Sequence, residues 1–350
     1  MSTQNLSDAV MVGDFPRLFR RLQAEVHKAI VGQETSVENL LIALFAGGHV
    51  LIEGVPGTGK TTLVKALGLA LNLSFNRIQA TVDLMPADIT GTRVLLSDSE
   101  GRREFSFQPG PVFCHILLVD EINRATPKTQ SALLEAMAEL QVTAGGRTFS
   151  LTPPYFVMAT LNPIEMEGTY ALPEAQVDRF MFRVRLGFPD EVGLARIVSA
   201  TTGADEAVIE PVFAAEEAAG RVEQMKRLVR QVIVVPEVER YAARIVLATQ
   251  PAPVRGVSDG SGTRAAAQND MVGRYVSFGS SPRGAQALIL GAKVCALLDG
   301  RVNVAFEDIE RIAPIVLSHR IMLNYAAHSD GVDASVVLQQ VLASVRSARP

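Results

Sequence analysis

A chain of 350 residues, 48% hydrophobic and 20% charged, has length for about two domains at roughly 150 residues each and buries a core without disulfide or metal staples. That balance excludes a disordered or collagen-like polymer. The formal net charge of -4 offers no bulk attraction to nucleic acid and leaves only a local basic groove as a route to one. Cys114 and Cys295 lie far apart without metal-ligand spacing, and the five histidines show none either, so a reducing compartment is expected. Asp8 and Asp14 near the start do not fit a basic-then-apolar leader, and the apolar stretch 40–52 is too short for a bilayer and broken by Gly47, Gly48 and His49. A cytoplasmic protein without membrane insertion is the expectation.

Phe15, Leu18, Leu22, Val26 and Ile30 recur at helical spacing, and Val31-Gly32-Gln33 ends that first helix. A second helix over 38–45 stops at Gly47-Gly48, a short buried strand covers 49–52, and a glycine-rich turn leads into a helix over 60–71. Further strand-like runs fall at 75–81, 116–119, 156–160 and 182–186, with helical patterns at 128–140 and 173–181 between them. Strands alternating with helices predict a parallel sheet covered on both faces. Two hairpin-like insertions interrupt the alternation: one at about 92–108, turning at Ser99-Glu100-Gly101, and one at about 140–152, turning at Gly145-Gly146. After Phe188-Pro189 the pattern is helical at 190–200, 214–230, 236–248, 282–298, 306–319 and 334–346, with 251–281 expected as a long mobile loop. The expected domains are therefore an α/β domain over 1–188 and an all-helical domain over 189–350.

Gly54-Val55-Pro56-Gly57-Thr58-Gly59-Lys60-Thr61 matches G-x-x-x-x-G-K-[ST] between a strand and a helix. Glycines there let backbone N–H groups face phosphate oxygens, and the helix N-terminus adds positive potential. Gly54, Pro56, Gly57, Thr58, Gly59, Lys60, Thr61 and Thr62 are the candidate nucleotide-binding residues, with Lys60 on the β- and γ-phosphates and the Thr61 hydroxyl on Mg²⁺. The plain alternative is an ordinary glycine turn. Ile116-Leu117-Leu118-Val119-Asp120-Glu121 is a buried strand that ends in two acids, at the edge where ligands of open α/β sheets bind. Asp120 suits the Mg²⁺ shell and Glu121 the base for an attacking water, so the pair reads as ATP hydrolysis; taken alone it is a solvated strand end. Asn162 emerges on the same edge and could position that water, or serve as a turn residue before proline. Arg179 ends the next helical segment, with a surface ion pair to Asp178 as its plain reading. Arg283 opens a helix, where the dipole does not favour a cation; an exposed arginine is the alternative.

Asp83-Leu84-Met85-Pro86-Ala87-Asp88-Ile89-Thr90-Gly91, Gln108-Pro109-Gly110-Pro111-Val112-Phe113, and the run from Asp120 to Ala125 with 128–137 resemble signatures of the MoxR family of AAA+ ATPases. The segments 162–165, 167–170 and 172–176 and Ser281-Pro282-Arg283 are similar to that family as well. The resemblance is dense over about 15–200 and sparse beyond. It implies an AAA+ P-loop domain with a five-stranded parallel sheet, followed by an all-α lid. It further implies Asn162 as first sensor, Arg179 as arginine finger, Arg283 as second sensor, and the two hairpins as the helix-2 insert and the pre-sensor-1 insert. A hexameric ring binding ATP and Mg²⁺ between subunits is implied, with chaperone-like action on a protein client and a von Willebrand A domain partner.

Other readings remain at this stage. A nucleic-acid motor of the same clade needs a cationic groove with stacking aromatics. The first hairpin instead mixes Arg93, Arg102 and Arg103 with Asp98, Glu100 and Glu104, and the second has only Arg147, so no nucleic acid is expected. A Mg-chelatase-like ATPase subunit shares the architecture. A non-hydrolysing scaffold is disfavoured because Lys60, Thr61, Asp120, Glu121 and Arg179 are all present. Arg124 is the second choice for the finger.

Overall fold

The structure is a computed structural model that describes residues 3–55, 57–97, 103–162, 170–202, 207–251 and 270–347. Helix α1 (Thr3–Ala29) buries Phe15, Phe19, Leu22 and Val26, the stripe that their spacing predicts. Helix α2 (Glu34–Ala46) ends at Gly47, whose φ of 79° lets its N–H return to the carbonyls of Ala43 and Leu44. Strand β1 (Val50–Gly54) follows, then α3 (Lys60–Leu71), β2 (Phe75–Gln79) and the short α4 (Pro86–Thr90). A hairpin of β3 (Gly91–Ser97) and β4 (Arg103–Pro109) precedes β5 (Ile116–Asp120) and α5 (Pro127–Glu139). A second hairpin, β6 (Gln141–Ala144) and β7 (Arg147–Ser150), precedes β8 (Phe156–Leu161), α6 (Glu174–Val177) and β9 (Phe182–Leu186).

The five predicted strands form one parallel sheet in the order β2-β5-β8-β1-β9. Its central strands are continuous apolar runs, as burial on both faces requires: every residue of β5 is buried, and so are the first five of β8. Register pairs Gln79 with Asp120, Val119 with Ala159 and Glu53 with Leu161, so the C-terminal ends of β1, β2, β5 and β8 lie along one edge. His49 ties this layer together from inside. Its Nδ1 accepts the Val157 N–H at 3.0 Å and its Nε2 meets the Met137 carbonyl at 3.1 Å, while burial lowers its pKa to about 4 and keeps it neutral.

Both hairpins are antiparallel as predicted. The turn at 99–101 lies outside the described residues, whereas Gly145 and Gly146 take φ of 56° and 75°, the conformation that a two-residue hairpin turn demands. Phe107 of the first hairpin stacks on Phe149 of the second with centroids 4.0 Å apart.

Beyond β9 come α7 (Glu191–Thr202), α8 (Ala218–Gln231), α9 (Pro236–Ala248), α10 (Asp270–Tyr275) and β10 (Val276–Phe278). Then follow α11 (Pro282–Leu298), α12 (Phe306–Leu317), β11 (Met322–Leu323), α13 (Tyr325–Ser329) and α14 (Ala334–Ser347). Residues 17–179 with 184–226 cluster as one compact unit, and 1–16, 180–183 and 227–350 as the other.

Two expectations change. The helix predicted over 173–181 is only the four residues of α6, because Phe180 and Met181, 0% and 6% exposed, leave the helix to enter the core and lead into β9. Of the loop expected over 251–281, residues 252–269 lie outside the described residues, but 270–278 is α10 followed by β10, which pairs antiparallel with β11. A three-residue strand bearing exposed Ser277 and Phe278 carries no alternating pattern to predict it from.

Candidate active site

Strand β1 delivers the chain to a turn that only glycine can make. Gly57 and Gly59 take φ of 82° and 80°, and a Cβ on Gly54 would stand 3.1 Å from both Leu186 Cβ and Thr58 Oγ1. The Thr58 hydroxyl donates to the Val55 carbonyl at 2.9 Å and closes the turn. Gly59 caps α3 with no side-chain acceptor, so the N–H groups of the first turn of α3 are left to an anion. Lys60 Nζ folds onto the Gly54 carbonyl at 2.6 Å, and Pro56 lies outside the described residues.

Asp120 is 5% exposed at the end of β5, with its Oδ2 3.5 Å from the Thr61 hydroxyl. Thus the two predicted oxygen donors, 59 positions apart, stand together. Three residues that sequence reasoning missed hold the acids. Arg77 Nε donates to Asp120 Oδ2 at 2.7 Å, and Gln79 Nε2 donates to Glu121 Oε2 at 3.2 Å. Thr160 sits between the two: its hydroxyl donates to Asp120 Oδ1 at 3.1 Å and accepts the Glu121 N–H at 2.9 Å. Glu121 itself adopts a left-handed backbone, φ 54°, which costs a non-glycine residue about 1 kcal/mol and turns the chain off the strand at once. Arg124 Nε lies 2.9 Å from Glu121 Oε2, so the second-choice finger is engaged with its own acid.

Asn162 follows β8 and is 4% exposed, on the same edge as Asp120. Arg179 is exposed elsewhere in this unit: its Nη1 donates to the Leu134 carbonyl of α5 at 2.8 Å. It lines a cavity of about 300 Å³ with Ser131, Glu135, Glu139 and Gln176. The loop faces a different cavity of about 240 Å³, lined by Gly57, Gly59, Thr62, Ile30, Val31 and Phe188 among others, and the two share no residue. Gln33, read from sequence only as a helix stop, borders the loop cavity with φ 61° and donates to the Gly187 carbonyl at 2.9 Å. Arg283 belongs to the other compact unit, in the first turn of α11, where the Ser281 side chain accepts its N–H at 3.1 Å.

A parallel sheet with this strand order, a phosphate-loop turn at one edge and a helical C-terminal region define an AAA-type ATPase fold. Residues 49–182 match the ATPase family associated with various cellular activities (AAA), and residues 268–341 match the AAA lid domain. Chaperone MoxR1 of Mycobacterium tuberculosis is 40% identical over 92% of this chain and 80% of its own length. Protein MoxR of Methylorubrum extorquens is 34% identical over 92% of each. A crystal structure of a "putative ATPase" from Cytophaga hutchinsonii, 34% identical, superposes with a TM-score of 0.84 over 97% of both chains. The chain belongs to the MoxR family of AAA+ ATPases. Among the described residues no helix is long and apolar enough to cross a membrane.

Proposed function

We propose that the protein hydrolyses ATP at sites completed between subunits of a ring, a hexamer by family likeness, and spends the cycle on remodelling or maturing a client protein. The observation that carries this reading is the split of the machinery: loop, Thr61, Asp120 and Glu121 converge on one edge, while Arg179 lines a separate surface. The apolar cavity beside the loop suits an adenine base, with the loop N–H groups and Lys60 on the phosphates. The donor set fits Mg²⁺, a hard cation that takes carboxylate and hydroxyl oxygens: Thr61 and Asp120 would hold it, and it would neutralise charge on the phosphates. Glu121 then accepts the proton of the attacking water, Asn162 orients that water, and Arg179 of a neighbour meets the charge that develops on the γ-phosphate. Arg283 serves as second sensor in this reading, by likeness to the family alone.

A chaperone role draws on the name of the Mycobacterium relative, and a von Willebrand A domain partner on the family. The hairpins support a protein client over a nucleic acid, since Arg93 is spent over the ring of its own Phe105 at 5.1 Å. The test is concentration. Specific activity should rise with protein concentration, and ATP should favour the ring because it binds the assembled interface. A monomer fully active at all concentrations would exclude this mechanism.

A further inference from the structure

We propose that Arg320, assisted by His319, is a positioning residue for Arg179, holding the backbone directly after the finger that its own subunit offers to a neighbour. This rests on the reading of Arg179 as a finger. Arg320 is 6% exposed, and its guanidinium is spent on backbone: Nη2 donates to the Phe180 carbonyl at 2.7 Å, and Nη1 to the Met181 carbonyl at 3.0 Å and to that of Val316. His319 Nε2 meets the same Phe180 carbonyl at 3.2 Å. The two carbonyls belong to the two residues directly after Arg179, 139 and 140 positions away in sequence.

Burying a guanidinium is unfavourable before its bonds are counted, and an apolar side chain of similar size commonly fills such a space at least as stably. What arginine adds is a rigid fork that holds two consecutive carbonyls at fixed spacing. Here the fork grips the backbone from which Arg179 projects. Arg179 closes the segment 17–179 of one compact unit, Phe180–Arg183 cluster with the other, and the chain returns to the first unit at Val184. Fixing those two carbonyls fixes the backbone from which the Arg179 side chain starts. The far end of the side chain has only a light tether, the bond to the Leu134 carbonyl.

Arg320→Lys keeps the charge and removes the fork. It should bind ATP as the parent does while kcat falls about 10- to 100-fold, the range for a misplaced catalytic group. The decisive readout is mixing subunits. Arg320→Lys subunits have a sound loop and a misaimed finger, so mixing with Lys60→Ala subunits should restore activity and mixing with Arg179→Ala subunits should not. His319→Phe, which keeps Arg320, should show the same pattern with a smaller loss. Recovery of Arg320→Lys with Arg179→Ala would overturn the proposal, because the finger would then be sound; so would parental turnover, or loss of folding in both variants, which would make the pair structural. The control mixture of Arg179→Ala with Lys60→Ala separates the two ideas: without recovery there, the finger reading itself fails.

Discussion

The phosphate loop and Arg179 are built on opposite plans. The loop is held by its own backbone: two glycines at positive φ, one hydroxyl closing the turn, and a strand and a helix directly before and after. Arg179 follows a four-residue helix, with one bond from its guanidinium to Leu134 and a grip on the next two residues from far along the chain. A phosphate cradle has to be in place before its ligand arrives, because N–H groups that must reorient lose their electrostatic advantage. A side chain that serves another subunit, the role proposed for Arg179, gains from being adjustable. The pair contrasts a cradle fixed by its own backbone with an exposed side chain held by a bond to Leu134.

The strongest way to break that comparison is Arg179→Ala. It should retain ATP in calorimetry and lose about 10³–10⁵-fold in phosphate release, the worth of an arginine finger in related chemistry. Lost ATP affinity would instead place Arg179 in its own subunit's cradle. Next is Glu121→Gln, which preserves shape and removes the proposed base; turnover should fall about 10²–10⁴-fold with nucleotide still bound. Lys60→Ala should weaken binding itself, and equal loss of binding in both variants would erase the division of roles.

Smaller effects test how firmly the sheet holds the acids. His49 is neutral in the folded protein with a pKa near 4, whereas the unfolded chain takes up a proton near the ordinary value of 6.5. The unfolded state therefore binds more protons between those values, and stability should decline as pH falls from 6.5 to 4, by about 3 kcal/mol at the limit. Urea titrations of the parent and His49→Gln across that window should diverge as the pH drops; parallel curves would show that His49 is not buried neutral. Thr160→Val removes the hydroxyl shared by Asp120 and Glu121 and should cost about 1–3 kcal/mol of stability. Its turnover should fall less than that of Glu121→Gln, since the acids keep Arg77 and Gln79. A kinetic loss as large as that of Glu121→Gln would make Thr160 more than a support.

Much of this was legible residue by residue. The loop, the apolar strand ending in Asp120-Glu121 and the Gly145-Gly146 hairpin each depend on neighbours in sequence: a positive φ, a run buried on both faces, a two-residue turn. The family signatures belong to the same local class. Arg77, Gln79 and Thr160 carried no such mark, because a polar residue on a strand acquires its meaning from the strand beside it. That adjacency, β2 against β5 and β5 against β8, is decided by the order of the whole sheet. Gln33 looked like a stop and proved to border the loop cavity for the same reason. Arg320 is the furthest case: within its own segment it reads as one more helix-end cation, and only the packing of the helical unit brings Phe180 and Met181 under its fork. Backbone conformation in a turn or a regular run is largely a short-range property, so the sequence alone determined the loop and most of the elements, but not the early end of α6 or the strand β10. Which polar atoms meet is set by long-range burial, where each group must find a partner once water is gone, and that only the tertiary structure decided.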